Sequence, residues 1–362
     1  LNIAPRGLVI LVNFADVKFA TNKAELDSML TGKNYSRDYS YMYGGRKYFV
    51  TSNGSAWQYF YESSNGQYSP QFDVVGPVTV SKNMDYYGKN VSDFDAAPWD
   101  MVKEACELVN DSVDFSLYDN DKDGYVDFVY VIYAGYGEAD GGAANTIWPH
   151  SYELLDAGVT CKVDGKCVDL YACGNEMDYY TKHHTGIGTF CHEFSHVLGL
   201  PDLYTTEGQT HKTLGSWDIL DYGPYNNDMN TPPAYSAYER FMMGWLTPRL
   251  IVEAEDVELE ELQESNSALL ISSTDQHNLI GNDPKPTTFY LLENRQQVGW
   301  DEYLPGHGLM LTKISYNQRY WSDNSVNNLS NRMGVDLIEA DGKTPSSSED
   351  GYTGKASDLF PA

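Results

Sequence analysis

Residues 192 to 202 read HEFSHVLGLPD, and no other stretch constrains the chain as tightly. On a helix, His192 and His196 project from one face a turn apart and are able to share a zinc ion, while Glu193 stands beside them to take a proton from water. The helix is expected over 185–199, where Phe190, Phe194, Val197 and Leu198 form an apolar stripe at helical spacing and no proline intervenes. Gly199 suits the left-handed conformation that ends a helix, and Pro201 cannot continue one, so the chain is expected to turn sharply and swing Asp202 back as third protein ligand. The fourth position is then left to water, as in catalytic rather than structural zinc sites. A bare HExxH also occurs on charged helix faces that bind nothing. Gly199 and Asp202 extend it to HExxHxxGxxD, the longer metzincin pattern with aspartate in place of the last histidine, and the extended motif points to a zinc hydrolase. Asp202 by itself would also serve as a turn or cap residue after proline.

A second constellation lies upstream. Asp119, Asp121, Asp123, Gly124 and Asp127 spell DxDxDGxxD, the spacing at which a tight loop presents alternate carboxylates to one hard cation. Oxygen ligands, several of them charged, favour calcium over zinc, and the carbonyl of Tyr125 would take the seventh loop position. Tyr130 stands where a sensor hand has glutamate, and a strand pattern follows, so calcium binding without a sensor's helix pair is expected. The plain alternative is an acidic turn that holds no ion.

The wording around these motifs carries a resemblance. HEFSHVLGLPDLY, LGSWDILDYGPY at 214–225 and YDNDKDGYVDFVYVIYAGYGEADGG at 118–142 resemble the secreted bacterial peptidase family of immune inhibitor A, the M6 metallopeptidases. The opening GLVILVNFADVKF and the later FYLLENRQQVGWDEYLPGHGL resemble it too, so the likeness covers most of the chain. It implies a zinc-dependent endopeptidase acting on proteins or peptides, secreted or at the bacterial cell surface, with zinc on His192, His196 and Asp202 and Glu193 as general base. The expected fold is α+β and metzincin-like: a twisted mixed sheet and active-site helix in an upper subdomain (1–199), a lower subdomain (200–247) beginning with the Gly199 turn, and, from the strand patterns beyond the Thr247-Pro248 seam, a β-rich C-terminal extension (248–362). One departure is visible: Leu220, in WDIL, occupies the place where metzincin-like enzymes put a methionine beneath the metal, an exchange of similar volume. Tyr222 and Tyr225 follow that turn, where some related peptidases supply a phenol that stabilises the tetrahedral intermediate, and both are candidates for that role.

Composition sets outer limits. With 52 acidic against 24 basic residues the formal charge is −28, the wrong sign for nonspecific nucleic-acid binding. The acidic balance suits calcium ligation or simply a self-repelling, monomeric surface. No run of 18 apolar residues is present to span a membrane. The chain opens on leucine almost directly in a strand pattern, so a processed or truncated form is expected, its signal and any pro-segment removed.

Strands are expected at GLVILVNF, VVGPVTVS, DFVYVIYAGYG (the strand before the active-site helix), ALLISS, FYLLENR and GLMLTKISY. Helices are expected over 55–63, 97–111 and 232–245, a long loop over 203–230, and low complexity over 344–357. Residues 157–173 alternate around Asp164-Gly165 and predict a hairpin. A three-residue loop ending at Gly165 would pair Cys161 with Cys167 in a disulfide, whereas a two-residue loop would set Cys161 opposite Val168. The remaining cysteines are Cys106, Cys173 and Cys191, an odd total of five. His183 and His184 are expected to be loop or cap residues, His150 a hydrogen-bonded strand residue, and the 29 tyrosines mostly packing groups. Two rival functions are a peptidase-like module that only binds a host protein or glycan, and a calcium-stiffened surface module with no zinc; Glu193 argues against the first.

Overall fold

The computed structural model describes residues 4–92, 94–208, 211–274, 277–343 and 353–361. It divides into two compact units, Leu1–Phe60 with Tyr68–Val197, and Tyr61–Gln67 with Leu198–Ala362. Both units mix helices and sheets, so the fold is α+β. Among the described residues no helix is long and apolar enough to cross a membrane.

In chain order the first unit contains β1 (Arg6–Asn13), α1 (Lys23–Thr31), β2 (Ser36–Tyr43), β3 (Arg46–Asn53), α2 (Ala56–Ser63), in which the division falls, β4 (Gln71–Thr79) and α3 (Met84–Gly88). There follow β5 (Asn90–Val91), β6 (Phe94–Asp95), α4 (Pro98–Val109), β7 (Tyr125–Val126), β8 (Val129–Tyr136), β9 (His150–Glu153), β10 (Cys161–Val163), β11 (Lys166–Val168), β12 (Leu170–Met177) and α5 (Gly188–Val197). The main sheet runs β4-β1-β8-β12-β9, parallel except for β9, which pairs antiparallel with β12. Its central strands are near-continuous apolar runs because both faces are covered. Leu8, Ile10, Val12, Val129, Val131 and Tyr133 face one side and pack with Met101, Val102, Ala105, Cys106 and Val109 of α4. The alternate residue Tyr130 faces the other side, where it meets Phe190 of α5. Alternation along the strands therefore puts α4 and α5 on opposite faces of the sheet.

The strand leading into α5 is β12, not β8. Residues 170–173, expected to belong to a hairpin centred on Asp164-Gly165, instead run in the main sheet parallel to β8. The hairpin itself is confined to β10 and β11, and its loop has two residues, Asp164 (φ 51°) and Gly165 (φ 75°), the paired left-handed conformations of a type I′ turn. Cys161 consequently faces Val168, and Cys167 faces Lys162. One residue of register puts Cys161 and Cys167 on opposite faces of the hairpin, which removes the expected disulfide between them. Both are free thiols.

The second unit contains α6 (Asn226–Met229), α7 (Ala237–Met242), β13 (Arg249–Ile251), α8 (Leu262–Ser265), β14 (Leu269–Ile271), β15 (Thr288–Arg295), β16 (Gly308–Ser315), α9 (Gln318–Ser322) and β17 (Val335–Leu337). The five strands form one sheet in the order β13-β14-β15-β16-β17, antiparallel apart from β13 on β14. Residues 200–247 and the β-rich stretch beyond 248 thus fall in the same unit. Helix α7 is shorter than the expected 232–245 because Ser236 and Glu239 form a capping box at its start, which leaves Pro232 and Pro233 outside. Inside this unit the fully buried Arg295 donates to Asp301 and Glu293, so three buried charges satisfy one another. Residues 344–352 of the low-complexity run lie outside the described residues.

Candidate active site

Helix α5 is held by its aromatic side. Phe190 and Phe194, one turn apart, stack with centroids 6.1 Å apart. Phe72 meets both edge-on at 5.0 and 5.2 Å, and Phe60 and Phe128 close on Phe194 at 4.9 and 4.8 Å. Burying a side chain of this size contributes about 1.5–3 kcal/mol, so the cluster pins the helix in rotation as well as position. Two residues further along a helix is about 200° around it, so the anchor at Phe190 and Phe194 turns His192 and His196 to the other side.

There the two imidazoles meet, Nε2 to Nε2 at 3.2 Å with ring planes 85° apart. Glu193 joins them: ligand atoms of His192, Glu193 and His196 all lie within 4.8 Å of one another. His192 is 9% and Glu193 6% exposed, so the group is largely shielded. Two imidazole nitrogens at this separation, with a carboxylate alongside, fit an ion held about 2.0–2.1 Å from each nitrogen and suit zinc better than calcium.

Helix α5 ends at Val197, and Gly199 takes φ +91°, the left-handed turn its sequence position called for. Asp202 lies in the second unit, 5% exposed. Its backbone N–H donates to Oδ1 of Asn324 at 2.7 Å, and Nδ2 of Asn324 donates to its Oδ2 at 2.7 Å. Two more asparagines continue the clasp. Asn327 donates to the Leu203 carbonyl at 2.8 Å and Asn328 accepts from Thr206 N–H at 2.8 Å. Leu220 is fully buried, and its carbonyl accepts from Leu203 N–H at 2.8 Å, so the WDIL turn supports the residue after Asp202. Tyr222 and Tyr225 are 47% and 37% exposed with rings 4.8 Å apart.

The acidic loop brings Asp119, Asp121 and Asp123 together, with ligand atoms within 4.8 Å of one another. Their backbone partners are local: Asp121 Oδ1 accepts from Asp123 N–H and Asp123 Oδ1 from Tyr125 N–H. Asp119 Oδ2 accepts from Gly124 N–H at 3.2 Å and from Lys166 Nζ at 2.5 Å, and the lysine holds its carboxyl below the usual carboxylate range. Asp119 Oδ1 is buried with no hydrogen-bond partner among the described residues, which fits a carboxylate shaped for a cation. Asp127 stands outside the group: its Oδ2 accepts from both N–H and Nδ2 of Asn120 at 2.5 and 2.7 Å.

The other three histidines singled out in the sequence are tied into hydrogen bonds away from this group. His184 is packed against Arg37 and Glu25, and burial followed by the Arg37 charge lowers its pKa to about 4. His183 Nε2 reaches the Ser40 carbonyl, and His150 bridges Tyr171 and the Trp148 carbonyl. Sequence reading missed Asn324, Asn327 and Asn328, Lys166, and also Glu176. The last is 1% exposed, and its carboxylate accepts from the N–H groups of Ala20, Thr21 and Gly135, tying the loop before α1 to the sheet. The asparagine run was visible in sequence, but nothing local tied it to Asp202.

An α+β chain that brings two histidines and a glutamate together on one sheet-backed helix has the arrangement of a metal-dependent hydrolase. Comparison with known proteins narrows this. Residues 4–246 match the model of the immune inhibitor A peptidase M6 catalytic domain, and the chain belongs to that family. It is 28% identical over 262 residues to immune inhibitor A of Bacillus thuringiensis subsp. alesti, which covers 63% of this chain and 38% of the relative. It is 26% identical over 291 residues to the pre-pro-metalloprotease PrtV of Vibrio cholerae serotype O1 (strain M66-2), covering 71% of this chain and 31% of that protein. The chain thus spans well under half the length of these relatives.

Proposed function

We propose that this chain is a secreted zinc endopeptidase of metzincin-like type, with His192, His196 and Asp202 as its zinc ligands and Glu193 as its general base. The observation that carries the proposal is the 3.2 Å approach of the two imidazole Nε2 atoms with the Glu193 carboxylate beside them. Zinc, when bound, supplies a Lewis acid that makes water more acidic near neutral pH and polarises a carbonyl. Glu193 takes a proton from the attacking water and delivers it to the departing amine, which needs it within hydrogen-bond reach of both. Its burial keeps competing water away from that proton path. Asp202 enters the ligand set by the spacing of the motif, and the Asn324 clasp supports the role by fixing its carboxylate. Tyr222 or Tyr225 offers an exposed phenol to the oxyanion of the substrate.

The Asp119 to Asp127 loop is proposed as a calcium site, supported by the three gathered carboxylates and the buried, unpartnered Asp119 Oδ1. Residues 1–247 are proposed as the peptidase domain, with upper (1–199) and lower (200–247) parts, and 248–362 as a β-rich extension. Export and protein substrates are proposed in keeping with the metalloprotease name of one relative. Cleavage of an unfolded protein such as casein, measured with and without a zinc chelator and after zinc is returned, tests the function. Activity untouched by the chelator, or none with zinc fully loaded, would overturn it.

A further inference from the structure

Cys161 does not pair with Cys167, but it has another cysteine beside it. Cys106 lies on the inward face of α4 and Cys161 opens β10; both are fully buried in one core cluster, and α4 packs directly on β10. Their side chains meet across that contact, each shifting the ionisation of the other. We propose that Cys106 and Cys161 close into a disulfide when the chain meets an external disulfide oxidant, stapling α4 to the β10–β11 hairpin.

The chemistry balances without a metal. The Cys161 thiolate attacks one sulfur of the external disulfide and expels one thiolate, leaving Cys161 in a mixed disulfide. Cys106 then gives up its proton and attacks the Cys161 sulfur, expelling the second external thiolate. Two protein thiols lose two electrons, one external disulfide gains them, and the two protein protons end on the two released thiols. Cys161 is the first nucleophile because it lies on the hairpin that opens, whereas Cys106 stays on the inward face of α4. The reagent reaches it when the hairpin opens or before it docks, because both sulfurs are buried afterwards.

The staple would brace the acidic loop. Helix α4 precedes that loop, and the hairpin grips it at two points, Lys166 on Asp119 and Cys167 N–H on the Gly124 carbonyl at 3.0 Å, while Asp164 Oδ2 accepts from Phe115 N–H at 3.1 Å just before it. A crosslink from Cys106 to Cys161 therefore joins the element before the loop to the element that holds it. The other cysteines are placed elsewhere: Cys167 on the opposite face of the hairpin, Cys173 against His150, and Cys191 within α5.

The test is to incubate the purified native chain with glutathione disulfide until thiol loss stops, alkylate, digest without reduction, and map by mass spectrometry. The expected product is a Cys106–Cys161 linked peptide pair two hydrogens lighter than the separate peptides. The oxidised chain should also melt about 5–10 °C above the same chain in reductant, a difference absent in Cys106→Ala. Cys106 and Cys161 both still alkylated on unfolding, or a Cys161–Cys167 link, would overturn the proposal. Oxidation in vitro makes the result independent of peptidase activity and of export.

Discussion

Asn324 clasps Asp202 at two points, accepting from its backbone N–H and donating to its carboxylate, each at 2.7 Å. Asn324 itself sits at φ +49°, just beyond α9, a left-handed conformation that asparagine tolerates better than most side chains. The clasp fixes the direction of the carboxylate.

Removing it should loosen the metal site rather than the fold. Asn324→Ala is expected to weaken zinc retention by about 10- to 100-fold while the chain stays folded, because partners that orient a metal ligand are worth that much. Competition against a chromogenic chelator reads the affinity directly. Wild-type affinity in this variant would mean that Asp202 needs no orienting partner or is not a ligand.

Glu193→Gln keeps the shape of the side chain and removes its basicity. Cleavage is expected to fall by about 10²- to 10⁴-fold with zinc content unchanged, the range for loss of a positioned general base. Zinc analysis alongside casein turnover separates the two effects; loss of zinc together with activity would make Glu193 a ligand instead.

Lys166 competes for Asp119, with 2.5 Å between Nζ and Oδ2. Its side chain is partly exposed, so solvent weakens the repulsion it exerts on a second cation at the loop. Lys166→Met is expected to raise calcium affinity several-fold and to enlarge the calcium-dependent rise in melting temperature. A melting curve insensitive to calcium in both proteins would show that the loop is an acidic turn.

Asp140 is 5% exposed, and burial, with the Asp178 charge nearby, raises its pKa to about 6 even though Asn175 donates to it at 2.5 Å. A carboxyl raised in the folded state favours folding when protonated. Its contribution is therefore full below the unfolded value of about 3.9 and is lost as pH rises through about 6. Asp140→Asn should flatten the stability profile across that window and gain on the order of 2–3 kcal/mol at pH 7. Urea unfolding at a series of pH values measures both; an unchanged slope would assign the pH dependence to other groups.

Much of the candidate site was legible because its rules are short-range. His192 and His196 meet because four residues make one helical turn, and Gly199 turns because only its missing side chain makes φ +91° easy. The gathering of Asp119, Asp121 and Asp123 likewise follows from alternate positions in a tight loop. The β12 strand was misassigned because DLYACG alternates as a hairpin arm would, and only pairing with β8 separates it from the hairpin beside it.

The sequence by itself therefore determined the helix, its turn, the carboxylate loop and the apolar strands, since each is set by neighbours within about a turn or a strand length. The tertiary structure alone decided which distant side chains complete them: Asn324 on Asp202, Lys166 on Asp119, and Cys106 rather than Cys167 beside Cys161. A hairpin loop one residue shorter puts the two cysteines on opposite faces instead of the same one, and partners so far apart in the chain meet only after whole elements have packed. Local periodicity carries no record of that packing, because the apolar faces that drive it are non-directional and specify burial rather than partner.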